Sequence, residues 1–270
     1  MNISPPNNQL RFSWQAIFSL LMFLFMYLPI LVLAVYSFNK SPYSADWQGF
    51  TLDWYGKLFN DERILSALKN SLIVALSAVG ISAVFGTLMA VGLARYRFPG
   101  KGLYQGVTYL PLIIPDIAIA VSTLVFLATF AIPLNISTII GAHVVFCLAY
   151  IALVVSSRFN NLDPHLEEAA LDLGATPVQA FFQALLPQLM PGIIAGCLLA
   201  FVLSLDDLLI ASFTAGSGSN TLPIEIFSRI RTGVKPDINA LSLILIVFSA
   251  IVVLVAELIR LAGEKSTINK

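Results

Sequence analysis

Charged side chains are scarce in this chain: 11% of its 270 residues are Asp, Glu, Lys or Arg, where a soluble globular domain carries about 25%. Set against 58% hydrophobic residues and a mean hydropathy of +0.86, that shortage excludes a water-soluble fold, because a chain of this length cannot hide so much apolar surface from water. Basic and acidic side chains balance at 15 each, so net charge recommends neither nucleic acid nor an anionic surface as partner. Cysteine is nearly missing. Cys147 and Cys197 lie inside apolar runs without neighbouring metal ligands and read as small buried hydrophobes, silent about redox compartment. No G-x-x-x-x-G-K-[ST] phosphate loop occurs, so the chain is not a nucleotide-hydrolysing component. No Ser/His or metal pair at helical spacing supports an intramembrane hydrolase.

What is present is a series of long apolar runs, and a helix needs ~20 such residues to cross a bilayer. The first uncharged run, Phe12 to Asn39, is far longer than the ~7–15 residues of a signal peptide's apolar region and ends in no small-x-small cleavage site, so it reads as a retained span. The second lies between Lys69 and Arg95. The third, Ile117 to Ser157, holds more than one crossing, and Pro133-Leu134-Asn135 followed by Ile136-Ser137-Thr138 marks the turn inside it. Leu103 to Ala131 is then a third helix and Ser137 to Ser157 a fourth. A fifth starts near Pro187 or Pro191 and reaches Phe213, and a sixth lies between Asp237 and Glu257. The sequence therefore predicts an all-α integral membrane protein with one domain over residues 1–270 and transmembrane helices at about 14–38, 70–94, 103–131, 137–157, 188–213 and 239–258.

Six crossings leave both termini on one side. The Lys and Arg totals, eight for the side of the termini and seven for the other, decide nothing. The short connection from Arg95 to Lys101 carries three positive charges and no acid, and short loops are where the positive-inside rule is strongest. It places the termini in the cytoplasm.

The longest loop on that side, residues 158–190, has the grammar of two short helices and a turn. Asp163 caps a helix opening at Pro164, with Glu167 and Glu168 in the favourable first turn. Gly174 suits the left-handed residue that ends it, and Thr176-Pro177 starts a second helix that stops before Pro187. Such a knob, kept compact by Ala169 and Ala170, invites a docking partner.

The pattern E-A-A, three residues, G, nine residues, I-x-L-P is that of the cytoplasmic coupling loop, the EAA loop, of bacterial ABC-importer permeases. Glu168, Ala169, Ala170, Gly174, Leu186 and Pro187 match it, and Ala184 replaces the preferred isoleucine with a smaller apolar contact. Asp172, Ala175 and Pro177 complete the loop segment. Together with Glu168 to Gly174 (EAALDLG), the runs Leu203 to Ser212 (LSLDDLLIAS), Thr221 to Pro223, Val234 to Ala240 and Tyr36 to Asn39 make the chain resemble the spermidine/putrescine permeases over nearly its whole length. The resemblance implies a type I ABC-importer permease fold in a bacterial inner membrane. It implies one permease subunit of an ATP-driven polyamine importer, working with a homologous second permease, a cytoplasmic ATPase dimer that receives the knob, and a periplasmic polyamine-binding protein. ATP and magnesium then belong to the ATPase, and this chain carries no cofactor.

Three acids interrupt otherwise apolar segments: Asp116, after Pro111 and Pro115, and the pair Asp206-Asp207. An Asp at mid-span costs on the order of 2.5–3.5 kcal/mol, so such groups face a wet pathway or a partner, and a small cationic substrate is the natural one. Counted as straight helices from Lys101 and from Pro191, Asp116 and Asp206 share a depth of roughly 22 Å. Carbonyls freed by the prolines, and the Ser204 hydroxyl, are further acceptors. The competing reading leaves Asp206 and Asp207 idle at an outer helix end, and adjacent residues ~100° apart cannot both face one pore squarely. Trp47, Trp54 and Tyr55 read either as an aromatic box for amines or as interfacial anchors, and the resemblance favours Trp54 as the functional one. His143, without ligand partners at i±3 or i±4, reads as an interhelical hydrogen bonder.

Small residues recur every fourth position at Gly192, Gly196, Ala200 and Ser204, and again at Ala78, Ser82, Gly86, Ala90 and Ala94. They read as packing seams, one of them facing the second permease, or as chance spacing in Gly- and Ala-rich spans. Two further functions stay open: an importer of another small cationic solute, and a stand-alone secondary transporter or channel using the same acids.

Overall fold

The computed structural model describes residues 14–42, 46–233 and 236–268, with side chains as far as Leu261. Arg11, Val234, Lys235 and Lys270, which enter the charge count or a motif above, lie outside the described residues, as does the side chain of Lys265. Contacts group the chain into two compact units, one running as far as Leu58 and taking in Gly233–Ile244, the other Phe59–Thr232 with Leu245 onward.

The first unit opens with α1 (Trp14–Tyr36), apolar on every face and without a buried residue, as a helix solvated by lipid should be. The segment after it folds on Asn39. The Asn39 carboxamide accepts from the amides of Ser41 and Gln48 at 3.2 and 2.9 Å and donates to the Asp46 carbonyl at 2.7 Å. Phe38 stacks on Phe50 at 5.2 Å, ahead of the short helix α2 (Asp53–Leu58).

The second unit holds the bundle. α3 (Glu62–Arg95) starts at the Asp61 cap, whose carboxylate accepts from the amides of Arg63 and Ile64, so the helix begins well before the expected Asn70 and carries its charged first turns beyond the apolar stretch. The expected third span is broken. α4 (Lys101–Tyr109) passes through a 3-10 turn at Leu110–Leu112 into α5 (Asp116–Thr129), and the two arms bend by 103°. Proline lacks the amide hydrogen a helix needs and clashes with the preceding turn, and Pro111 and Pro115 flank the break. α6 (Ile136–Asn160) opens on an Asn135/Thr138 capping box.

α7 (Leu166–Asp172) begins after Asp163, which accepts from the amide of His165 at 2.9 Å, so the helix starts three residues along from Asp163 rather than at Pro164. α8 (Pro177–Gln179) continues through a π turn at Ala180–Leu185 into α9 (Leu186–Asp206). The expected stop before Pro187 is therefore absent: proline at the second position of a helical segment is tolerated, and the wide turn ahead of it absorbs the missing hydrogen bond. α9 ends at Asp206, and the residues up to Phe213 belong to a separate α10 (Leu209–Thr214). α11 (Leu222–Thr232) and α12 (Pro236–Ile268) complete the chain.

Among the described residues, five helices are long and apolar enough to cross a membrane, six if the bent α4/α5 pair counts as one span, which agrees with the predicted class. α6 is the centre of the second unit. Its Ala142, Cys147, Ile151, Ala152 and Val155 are buried against Ala78 and Ala90 of α3 and Leu189 and Ala200 of α9.

Candidate functional site

Two broken helices face each other in the second unit. A cavity of about 380 Å³ lies between them, lined by Pro111, Leu112, Ile114 and Asp116 from the α4/α5 break, by Asp206, Asp207 and Leu208 from the α9/α10 break, and by Phe146 and Tyr150 of α6. The equal-depth count along straight helices does not survive the 103° bend. Asp116 and Asp206 share a cavity because the breaks meet, with α10 lying along α5.

The three acids have different surroundings. Asp207 accepts from the amides of Ile210 and Ala211 at 3.3 and 2.7 Å and so caps α10. Its Oδ2 also lies 3.2 Å from Nε2 of His143, which is fully buried. The other imidazole nitrogen, Nδ1, is 2.7 Å from the Ser204 hydroxyl. Ser204 is thus buried and occupied by His143 rather than free to receive cargo, and Asp207 is held by the protein itself. Asp116 and Asp206 are exposed to the cavity, and neither has an ion-pair partner among the described residues. Asp116 sits in the first turn of α5, where the helix dipole favours an anion. Asp206 is the last residue of α9, where the same dipole opposes one by about 0.3–1 kcal/mol.

The loop after α6 forms the knob. Gly174 has φ +88°, with its amide donating to the Leu171 carbonyl at 2.9 Å while the amide of Ala175 donates to Ala170 at 3.1 Å. These are the paired hydrogen bonds of a glycine helix terminator in the left-handed region. Thr176 caps the next segment reciprocally with Gln179, ahead of Pro177. Glu167 pairs with Arg95 at the end of α3, tying knob to bundle. Glu168 faces outward and accepts from His165 Nδ1 at 2.8 Å, which raises the imidazole's pKa. Ala169, Asp172, Pro177 and Pro187 are exposed, Ala170, Ala175 and Leu186 partly covered. Leu173 is 90% exposed, with Val178 and Phe182 also open, so the knob presents exposed apolar side chains.

Residues 82–267 match the family described as binding-protein-dependent transport system inner membrane component. The chain belongs to that family. It is 43% identical over 266 residues to the putrescine transport system permease protein PotI of Escherichia coli K12, covering 96% of this chain and 95% of that one. It is 39% identical over 249 residues to the spermidine/putrescine transport system permease protein PotC of Haemophilus influenzae, covering 92% and 97%. Among solved structures, a chain of a bacterial ABC transporter involved in the import of the acidic polysaccharide alginate matches with a TM-score of 0.72 at 16% identity, over 95% of this chain and 99% of that one. This last likeness is one of fold.

In this inner-membrane permease subunit, the remaining sequence candidates have partners of their own. Trp54 belongs to the first unit. Its Nε1 donates to the Asn39 carbonyl at 2.7 Å and Lys57 Nζ sits 4.2 Å from its ring centroid, so the ring face already holds a cation of the same chain. Both small-residue stripes are filled by α6. Ser82 donates to the Val144 carbonyl at 3.2 Å, and a Cβ on Gly86 would lie 3.1 Å from the Leu148 carbonyl. A Cβ on Gly192 would come within 2.8 Å of Arg158, and one on Gly196 within 3.3 Å of Val154. Ala90 and Ala200 are fully buried. Among the described residues these seams pack into the permease's own core. Sequence reasoning missed the link from His143 to Ser204, 61 residues on, and to Asp207, and the Asp61–Arg229–Glu225 cluster, in which Arg229 bonds Asp61 at 2.8 Å and Glu225 at 2.9 Å. Only the buried His143 itself was a visible signal.

Proposed function

We propose that this permease subunit passes a linear polyamine through the membrane, with the Asp116 and Asp206 carboxylates receiving its ammonium groups. The observation that carries the proposal is the pair of carboxylates, without counterions among the described residues, at two facing helix breaks around a cavity of about 380 Å³, a size suited to a small ligand. Uncompensated carboxylates in a membrane are costly unless a cation or water meets them, and a di- or polyammonium chain supplies cations at spaced intervals. The names of PotI and PotC, for putrescine and for spermidine/putrescine, support the same cargo.

Family membership supports a wider assembly. A homologous second permease completes the pathway, a periplasmic polyamine-binding protein delivers cargo, and a cytoplasmic ATPase dimer, holding ATP and magnesium, docks on the knob from Glu168 to Pro187. The exposed Leu173, Val178 and Phe182 suit that contact. Arg260 near the end of α12 lines one cavity with Arg158 and Asn161 at the start of the loop, so the C-terminal end of α12 shares the knob's face, and we place both termini in the cytoplasm.

The test is uptake of labelled putrescine and spermidine by the reassembled transporter carrying Asp116→Asn with Asp206→Asn. Loss of uptake with assembly intact supports the reading. Full uptake removes the acids from the pathway, and gradient-driven flux through the isolated chain, without nucleotide or partners, replaces the importer by a secondary transporter.

A further inference from the structure

Arg158 ends α6 almost completely buried, 7% exposed. Its Nε donates to the Gln188 carbonyl at 3.0 Å, but Nη1 is buried with no partner among the described residues. The side chain exists here by virtue of Gly192, where any Cβ would come within 2.8 Å of the Arg158 Cβ. A buried cation held by a carbonyl alone is unfavourable, because desolvation of the charge is compensated only by an anion or a full set of acceptors.

Arg158 walls a cavity of about 310 Å³ between α6, α9 and α12, with Leu153, Val154, Ser157, Asn161, Pro191 and Arg260, and no acid among the described residues lines it. Arg260 reaches it while paired with Glu257 through Nη2 at 2.6 Å and Nε at 2.9 Å, so the net positive charge of the cavity comes from Arg158. Both guanidiniums lie where apolar spans give way to polar sequence. Toward the membrane interior the neighbouring surface is apolar and open: Leu153 is 45% exposed, and Val253, one heptad before Arg260 on the same side of α12, is 40% exposed.

We infer that this cavity binds the phosphate of an anionic phospholipid headgroup from the leaflet on the knob's side, with its acyl chains along Leu153 and Val253. Basic pockets between membrane helices recognise such headgroups by charge, and this one joins an uncompensated guanidinium, a second guanidinium and an apolar wall at headgroup level. A soluble anion would use the charge but not the wall. The inference rests on the membrane fold and is independent of the cargo.

The test is native mass spectrometry of the full chain, alone and with its partner subunits, released from bilayers of phosphatidylcholine with phosphatidylglycerol. Wild type is expected to retain phosphatidylglycerol over phosphatidylcholine. Arg260→Gln, at an exposed position, and Arg158→Gln each weaken that preference about fivefold, as the loss of one basic group near a membrane surface implies. Should Arg158→Gln fail to accumulate, Arg260→Gln decides. Equal retention of the two lipids, or an unchanged preference in Arg260→Gln, overturns the inference. Displacement of phosphatidylglycerol by inorganic phosphate gives the site to a soluble anion, and its loss on binding the partner subunits gives it to a partner carboxylate; either result overturns the lipid assignment.

Discussion

Replacing Asp206 by asparagine keeps the shape of the cavity wall and removes one charge. A hydrogen bond to a charged group contributes about 1.5–3 kcal/mol, and because Asp206 is exposed to the cavity and partly hydrated before cargo arrives, the lower end applies. About 1.5 kcal/mol is slightly more than tenfold in occupancy. Under the proposed function, the effect is read in the initial uptake rate at saturating binding protein, measured in proteoliposomes containing the whole transporter and ATP. Asp206→Asn should lower that rate at least about tenfold, and Asp206→Glu should restore part of it. Assembly and basal ATP hydrolysis should persist, since Asp206 makes no ion pair that the fold depends on. Uptake at the wild-type rate in Asp206→Asn refutes the assignment of this carboxylate to the cargo.

Asp207→Asn should behave differently: it weakens the cap of α10 and the contact with His143, at about 0.5–2 kcal/mol for the cap, and is read as a lower thermal midpoint and yield in detergent, where Asp206→Asn leaves both unchanged. Ser204→Ala strands a buried imidazole nitrogen and should destabilise by about 1–3 kcal/mol in the same assay. Gly174→Val forces a β-branched residue to φ +88°, a strain of about 1–2 kcal/mol or more. A Cβ there meets nothing within 4 Å, so membrane insertion should persist while ATP-driven uptake collapses, and normal uptake in that variant counts against the knob as the docking element. Partial burial raises the pKa of Asp61, but the hydrogen bond and charge of Arg229 and the amides of Ile64 and Arg63 outweigh it and hold the carboxyl below its ordinary value. A depressed folded-state pKa stabilises above the unfolded value of about 3.9 and loses that contribution as pH falls through the folded value. Acid titration of thermal stability should therefore show a steeper loss below pH ~4 in wild type than in Asp61→Asn.

Features fixed by neighbouring residues were the legible ones. Apolar runs located the spans, the Asn135 turn separated the third from the fourth, and Gly174 and Thr176-Pro177 sit where the knob ends one helix and starts another. Proline was a weaker guide because its effect depends on what surrounds it: Pro111 and Pro115 flank a 103° bend, whereas Pro187 lies inside a helix that runs on. The family resemblance reached the class of protein, and the acids were found by their cost in lipid. Their division of labour was not legible. That Asp207 lies 3.2 Å from a buried His143 nitrogen while its neighbour Asp206 opens to the cavity depends on α6 and α9 lying side by side, and no local spacing encodes that. At Trp54 the neighbour is local: Lys57, three residues on, places its Nζ 4.2 Å from the ring centroid.

The uninterrupted course from Pro177 to Asp206 spans 30 residues, roughly 45 Å at 1.5 Å per residue. Under the proposed function, one end of this rod meets the motor and the other carries the carboxylate that meets the cargo. No intervening joint has to relay the stroke. A displacement or twist applied at Thr176 reaches Asp206 undivided, apart from what the π turn near the driven end takes up, so the force-bearing part and the cargo-bearing part are a single piece of secondary structure.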